Sequence, residues 1–120
     1  LCTRISGFVN APALMQRIVA NLQHVTVDVT IYQKKRDLLC QGLARAGYQF
    51  TKPQGAFYLF VKSPLPDDIK FVQMLLQKNI LVVPGSGFGC PGYFRIAFCV
   101  DDATIIHSMD GFAQAMKECK

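Results

Sequence analysis

The 120-residue sequence contains no apolar run that approaches the roughly twenty residues needed to cross a membrane. No basic segment leads into an apolar run with a cleavage signal, so the pattern predicts no secretory leader. Charged residues are few, at 18%, whereas 51% of the chain is hydrophobic. This balance argues against a disordered chain and indicates one globular domain around a single core.

Closely spaced metal ligands are also missing. The five cysteines include no C-x-x-C pair, and His24 and His107 are not clustered with them. The pattern therefore predicts no metal site. Because the number of cysteines is odd and their positions lack the spacing of a disulfide framework, we expect reduced thiols and a cytoplasmic protein. The cysteines are Cys2, Cys40, Cys90, Cys99 and Cys119.

The basic excess, a formal net charge of +5, is not concentrated anywhere in the sequence. Its densest run, residues 34–36, is followed at once by Asp37. A dispersed excess of this size is typical of a solvated surface, whereas a nucleic-acid-binding protein clusters its cations on one face or helix. We therefore expect no nucleic-acid partner.

The periodicity of the apolar residues predicts the order helix, helix, strand, strand, helix, strand, strand, helix. The predicted helices run from Ala13 to about His24, Ile31 to Arg45, Asp67 to about Asn79 and Asp101 to about Lys117. The predicted strands cover residues 48–50, 56–61, 80–83 and 93–100. Because helices and strands do not alternate regularly, we predict a two-layer α+β domain. Its three- to four-stranded, mostly antiparallel sheet would pack on helices.

Several residues define the expected ends and faces of these helices. Asn10 is the expected N-cap of the first helix, and Gly47 is expected to stop the second. The pair Asp67-Asp68 fits the positive end of a helix dipole better than an acid–base pair. On the apolar faces, Leu76 and Ile106 are among the side chains expected to point inward.

Arg95 is the residue most suggestive of chemistry. It lies inside an apolar predicted strand, flanked by Phe94, Ile96 and Phe98. A buried arginine must meet an anion or incur a large desolvation cost, and its planar fork fits a carboxylate bidentately. A second interpretation is equally open from periodicity alone: the side chain points to solvent from the exposed face of a half-buried strand.

Two further segments could approach a ligand. Residues 83–89, Val-Pro-Gly-Ser-Gly-Phe-Gly, contain glycines whose amides could bind an anion. The segment lacks the Lys-Ser/Thr of a Walker loop and the following helix of a dinucleotide site, so a tight connection between strands is favoured. Residues 53–58, Pro-Gln-Gly-Ala-Phe-Tyr, predict a turn before an aromatic strand, with Tyr58 as a core aromatic.

Together these segments resemble the class I (fold type I) pyridoxal-phosphate-dependent aminotransferases of the aspartate aminotransferase superfamily. The similarity follows the chain in order through nearly its whole length. The matching positions are residues 9–12 with Gln16, Tyr32 with residues 35–37, Leu43 and Gly47, and the segments 53–58, 83–89 and 93–98.

The resemblance implies a domain division and a role for Arg95. Residues 1–30 would correspond to the end of the large domain and a long connecting helix, and residues 31–120 to the C-terminal small domain. Arg95 would bind the substrate α-carboxylate, and the loop at 83–89 would support or gate the active-site entrance. For the parent enzyme, the resemblance implies pyridoxal 5'-phosphate, amino-acid and 2-oxo-acid substrates, and a homodimer.

One element of the family is missing from the sequence. The family's Schiff-base lysine stands in a Ser-Lys element followed by Gly-x-Arg-x-Gly, and no lysine here has that context. The cofactor's acidic and phosphate-binding partners also belong to the large domain. We therefore expect a C-terminal fragment, starting at Leu1, with no catalytic residue and no covalently bound cofactor. The alternative is a non-catalytic module that binds small carboxylates or mediates oligomerisation.

Overall fold

The computed structural model describes residues 11–119, which form four α-helices, one 3-10 turn and three short strands. The helices are α1 (Ala13–Asn21), α2 (Val29–Arg45), α3 (Asp68–Leu76) and α4 (Asp102–Glu118). The strands are β1 (Tyr58–Lys62), β2 (Val83–Pro84) and β3 (Tyr93–Ala97), and the 3-10 turn is Gly85–Phe88. Within the described residues, no helix combines the length and apolar composition of a membrane span.

The three strands form one antiparallel sheet in the order β1, β3, β2, with β3 in the centre. Arg95 on β3 pairs with Phe60 on one side and Val83 on the other. One face of the sheet packs on the helices, so the predicted α+β class with a small antiparallel sheet is confirmed.

The core lies between the sheet and helices α2, α3 and α4. On β1 and β3 alternate side chains are buried, as expected where one face of a sheet is covered. The Tyr48 hydroxyl donates a hydrogen bond of 2.9 Å to the Phe112 carbonyl oxygen. Burial raises the pKa of Tyr48. The largest fully buried side chains are Phe71, Phe94, Phe98, Phe112, Leu43, Leu59, Leu75 and Val61.

The strands are shorter than predicted. Within the predicted strand 80–83 only Val83 pairs, because the Ile80 N–H donates to the Leu75 carbonyl and thereby closes the end of α3. The predicted strand 93–100 ends at Ala97, one residue before Phe98 makes a last backbone bond to Phe57. Residues 48–50 contribute a single bridge, from residue 50 to β1.

The helix ends agree with most of the predicted caps. Asp67 accepts a hydrogen bond of 3.0 Å from the Lys70 N–H at the start of α3. Gly47, with φ of 90°, follows the end of α2, where a left-handed conformation favours glycine. The predicted N-cap Asn10 lies outside the described residues.

Two side chains predicted to point inward are exposed instead. Leu76 and Ile106 are each more than half exposed, while the neighbouring Leu75 and Ile105 are buried. A step of one residue rotates a helix by about 100°, so only one member of each adjacent apolar pair can face the core. The predictions for Leu76 and Ile106 are therefore wrong.

The first part of the described chain has no core of its own. The predicted first helix, from Ala13 to about His24, is α1, which ends at Asn21, and residues 22–28 separate it from α2. The predicted apolar stripe of α1 is present, but all of it is exposed, and residues 11–34 contain no buried side chain. The folded core begins with Leu39.

Candidate carboxylate site

The candidate site is the face of the sheet that points away from the helices. Phe94 and Ile96 point from β3 into the core, so Arg95 between them points to the opposite face. The Arg95 side chain is half-buried there. It is thus neither buried in the core nor extended freely into solvent, although the sequence left both positions open.

Two aromatic rings contact the Arg95 guanidinium group. Its Cζ atom lies 4.2 Å from the centre of the Tyr58 ring and 4.1 Å from the centre of the Phe88 ring. Each cation–π contact at a partly exposed position contributes about 0.5–1 kcal/mol. The N–H donors of a guanidinium lie in its plane, so a ring over one face leaves them available to an acceptor. Phe60 extends the aromatic surface, with its ring 5.9 Å from that of Phe88.

The three segments singled out in the sequence therefore meet at one place. Arg95 comes from the segment 93–98, Phe88 from the Gly-rich segment 83–89, and Tyr58 from the end of the segment 53–58. Tyr58 is 37% exposed, so the prediction that it is a core aromatic is wrong. Strand alternation places Tyr58 on the same face as Arg95, while its neighbour Leu59 enters the core.

Close backbone packing shapes the Gly-rich loop. A Cβ atom on Gly85 would lie 2.3 Å from the Cys90 carbonyl oxygen and 2.7 Å from that of Tyr93, so only glycine fits there. The Cys90 N–H donates to the Gly85 carbonyl oxygen at 2.9 Å, and Gly89 adopts φ of 70°. The loop is a tight connection between β2 and β3, as the sequence favoured, and it also delivers Phe88 to Arg95.

Asp68 supports this loop from the start of α3. Its side chain is nearly inaccessible, at 4% exposure, and its Oδ2 accepts a hydrogen bond of 2.8 Å from the Ser86 N–H. That bond lowers the pKa of Asp68, although burial opposes the shift. Sequence reasoning assigned Asp68 only to the helix start. The sequence does contain an indication of a second role for Asp68: α3 needs only one N-cap, and Asp67 already provides it.

A charged cluster on α2 braces the segment that leads into β1. Asp37 Oδ1 lies 2.8 Å from both Arg36 Nε and Lys52 Nζ, and Arg36 also donates to the Pro53 carbonyl oxygen. These contacts, led by the hydrogen bond from Arg36, lower the pKa of Asp37 to about 2. The matching segment 35–37 therefore has a structural role: it holds the turn before Tyr58.

The sheet face around Arg95 is open, with exposed side chains along β1, and two cavities among the described residues lie elsewhere. The larger, of about 740 Å³, lies between the start of α2 and residues 54–57. No carboxylate within residues 11–119 forms an ion pair with Arg95, and the same residues include no group that could hold a metal ion. A closed binding pocket at Arg95 would need a further surface opposite the sheet.

Known proteins that are similar to this chain are aminotransferases. The family model for aminotransferase class I and II matches residues 3–112. A solved aminotransferase from Eubacterium rectale is 43% identical, with a TM-score of 0.89 over 97% of this chain and 29% of its own. A probable aspartate/prephenate aminotransferase of Thermus aquaticus is 32% identical over 82% of this chain and 26% of its own.

A third relative is an LL-diaminopimelate aminotransferase of Nitratidesulfovibrio vulgaris, which is 36% identical over 70% of this chain and 23% of its own. The chain thus spans about a quarter of the length of the relatives it matches. The family match, in contrast, includes nearly every residue from the start of the described chain to Phe112 in α4. This chain belongs to the class I and II aminotransferase family.

Proposed function

We propose that this chain is the substrate-carboxylate-binding, C-terminal part of a pyridoxal-phosphate-dependent amino-acid aminotransferase, and that Arg95 binds the substrate α-carboxylate. The observation that carries the proposal is the half-buried Arg95 guanidinium against Tyr58 and Phe88, on an open sheet face of a chain from this family. The substrates of the whole protein would be an amino acid and a 2-oxo acid.

The chemistry of Arg95 suits a carboxylate. A guanidinium donates two parallel N–H bonds to the two carboxylate oxygens, which fixes the orientation of the anion as well as its position. The aromatic contacts restrain the side chain and exclude part of its hydration shell, so less ordering remains to be done when the anion binds. An amino acid held in this way would present its Cα and amino group in one direction only, which favours reaction.

The residues around Arg95 fit a substrate anion and do not fit the cofactor. Pyridoxal phosphate supplies the electron sink of the reaction when it is bound. It requires a lysine amine, an acidic partner for its ring nitrogen and a set of phosphate donors. Beside Arg95 the described face instead offers the aromatic rings of Tyr58, Phe60 and Phe88, and its lysine, Lys62, lies at the end of β1 beyond Phe60. We therefore propose that the 120-residue chain alone is inactive and that the cofactor-binding residues lie in the rest of the protein.

The domain division remains part of the proposal. Residues 1–30 would be the end of the large domain and the connecting helix, and residues 31–120 the small domain. The complete lack of buried side chains from residue 11 to residue 34 supports this, because such a segment needs a partner surface. We also propose a homodimer in the cytoplasm, and the free thiols of Cys40, Cys90, Cys99 and Cys119 are consistent with a reducing compartment.

The test replaces Arg95 in the full-length protein that carries this chain. Arg95→Ala should raise the KM for L-alanine, L-aspartate, L-glutamate or LL-diaminopimelate, whichever the wild type turns over fastest, by about 30-fold or more. The cofactor absorbance should stay unchanged. Arg45→Ala, at the exposed end of α2, is the matched control. An unchanged KM in Arg95→Ala, or no turnover of any of the four by the wild type, contradicts the proposal.

A further inference from the structure

Asp68 is the one buried charged residue of the described chain that serves the Gly-rich loop. Its carboxylate accepts the Ser86 N–H at 2.8 Å. The lowered pKa of Asp68 comes first from that backbone N–H, against the opposing effect of burial, and then from the Ser86 hydroxyl and the Gly92 N–H. The Asp68 carboxylate therefore holds the start of the loop that joins β2 to β3.

The helix itself does not require this carboxylate. Asp67 already caps α3 by accepting the Lys70 N–H at 3.0 Å. An aspartate in the first turn gains some favourable energy from the helix dipole, but that gain is available at the surface and needs no burial. Burying a carboxylate is costly unless it is hydrogen-bonded, and here the donor, the Ser86 N–H, comes from the loop.

The loop in turn holds Phe88 beside Arg95. Phe88 is 46% exposed, so no core packing fixes its ring. The centre of its ring lies 5.9 Å from that of the Phe60 ring and 4.1 Å from the Arg95 Cζ atom. The position of the ring therefore depends on the backbone of the 3-10 turn, which begins at Gly85 and is anchored one residue later at Ser86.

We propose that Asp68 is a positioning residue for carboxylate binding: by anchoring the loop at Ser86, it keeps Phe88 against the Arg95 guanidinium. Asp68 does not contact the substrate and acts through the loop. The proposal rests on the proposed function of Arg95. Loss of the anchor lets the ring move, the guanidinium samples more orientations, and binding of the carboxylate carries a larger ordering cost.

The test compares two neighbouring carboxylates in the full-length protein. Asp68→Asn keeps the shape but loses the charge and half of the acceptor capacity. It should raise the KM for the amino acid that the wild type turns over fastest (L-alanine, L-aspartate, L-glutamate or LL-diaminopimelate) by about fivefold or more, with kcat changed less than about threefold. The control Asp67→Asn keeps a good N-cap and should leave both constants within about twofold.

The outcomes separate the two proposals. If Arg95→Ala raises KM and Asp68→Asn lowers only the melting temperature, Asp68 has a merely structural role and the positioning proposal is overturned. If Arg95→Ala leaves KM unchanged, the proposed function itself fails. Should Asp68→Asn not fold, Asp68→Glu decides, because it keeps the charge but moves the carboxylate away from the Ser86 N–H by one methylene. A KM increase of about twofold or more supports the proposal, and an unchanged KM overturns it.

Discussion

The Cζ atom of Arg95 lies 4.1 Å from the centre of the Phe88 ring, although the two residues belong to different elements, β3 and the 3-10 turn before it. The tight connection between β2 and β3 folds back over the central strand and makes this contact possible. The surroundings of Arg95 therefore depend on the loop as much as on the strand that carries it.

Replacement of Phe88 by leucine should weaken amino-acid binding without unfolding the protein. Leucine keeps an apolar side chain but loses the cation–π contact, and the ring is 46% exposed, so the core is not disturbed. We expect the KM for the amino acid to rise about threefold or more, and the melting temperature to fall by only a few degrees. Steady-state kinetics and thermal unfolding of the full-length protein measure both.

The matched control for Phe88→Leu is Leu81→Ala. Leu81 is 83% exposed, and it precedes β2 without belonging to the aromatic surface. Its replacement removes an exposed apolar side chain and should leave KM within about twofold of the wild type. Equal effects of the two substitutions would mean that Phe88 has no specific contact with the arginine that matters for binding.

Gly85→Ala and Gly87→Ala should differ sharply, although they stand two residues apart in one loop. A Cβ atom at Gly85 would lie 2.3 Å from the Cys90 carbonyl oxygen and 2.7 Å from that of Tyr93. Both are backbone atoms, so the loop itself must shift. Such overpacking costs about 1–3 kcal/mol or more. A Cβ at Gly87 meets nothing within 4 Å, and we expect a change within about 0.5 kcal/mol.

Urea unfolding of the two variants measures this difference. Because the Gly85 loop also carries Phe88, Gly85→Ala should raise the KM for the amino acid in addition to lowering stability, whereas Gly87→Ala should change neither. If both variants unfold at the same urea concentration as the wild type, the loop can accommodate a Cβ atom at Gly85, which would contradict the close backbone packing at this position.

The helices and the general architecture could be predicted from the sequence because long periodic segments report which side is buried. The end of α2 just before Gly47 and the start of α3 just after Asp67 follow from local capping, which depends only on neighbouring residues. The apolar run 80–83 was predicted as a strand because an apolar run has the same composition in a strand and in a helix-terminating turn. The hydrogen bond from Ile80 to Leu75 decides between them.

The candidate site was predictable only in part. Period-two alternation places Arg95 on the face opposite Phe94 and Ile96, but it cannot say what covers that face. The contact with Phe88 depends on the path of the eight-residue connection 85–92, and the role of Asp68 depends on a hydrogen bond across 18 positions of sequence. Neither pattern repeats along the chain, so periodicity carries no information about them.

Replacement of Tyr48 by phenylalanine should destabilise the core through one hydrogen bond. The Tyr48 hydroxyl is buried and donates to the Phe112 carbonyl oxygen at 2.9 Å, inside the aromatic cluster with Phe71 and Phe94. Tyr48→Phe removes the donor and keeps the ring, so the free energy of unfolding should fall by about 1–3 kcal/mol. Tyr32→Phe, at a 38% exposed position, should change it by less than about 0.5 kcal/mol in the same urea titration. Equal urea midpoints of Tyr48→Phe and the wild type would contradict a stabilising hydrogen bond from Tyr48 to Phe112.

Asp37 should make stability depend on acidity in a defined pH range. Hydrogen bonds, first from Arg36 and then from Lys52, lower its pKa from the ordinary 3.8 to about 2 in the folded chain. A carboxyl whose folded pKa lies below its unfolded pKa stabilises the fold above the unfolded value, and that contribution is lost as pH falls through the folded value. The wild type should therefore lose stability from pH 3.8 down to about 2 more steeply than Asp37→Asn, because the variant has no ionisable group at position 37.

The comparison requires urea midpoints of the wild type and of both variants at several pH values from 7 to about 2. Asp110→Asn is the matched control, because Asp110 is exposed on α4 and takes part in no ion pair within the described residues. At pH 7 Asp37→Asn should also be less stable than the control, since it loses its contacts with both Arg36 and Lys52. If the urea midpoint of Asp37→Asn falls with pH as steeply as that of the wild type, the cluster that braces the turn before Tyr58 does not form in solution.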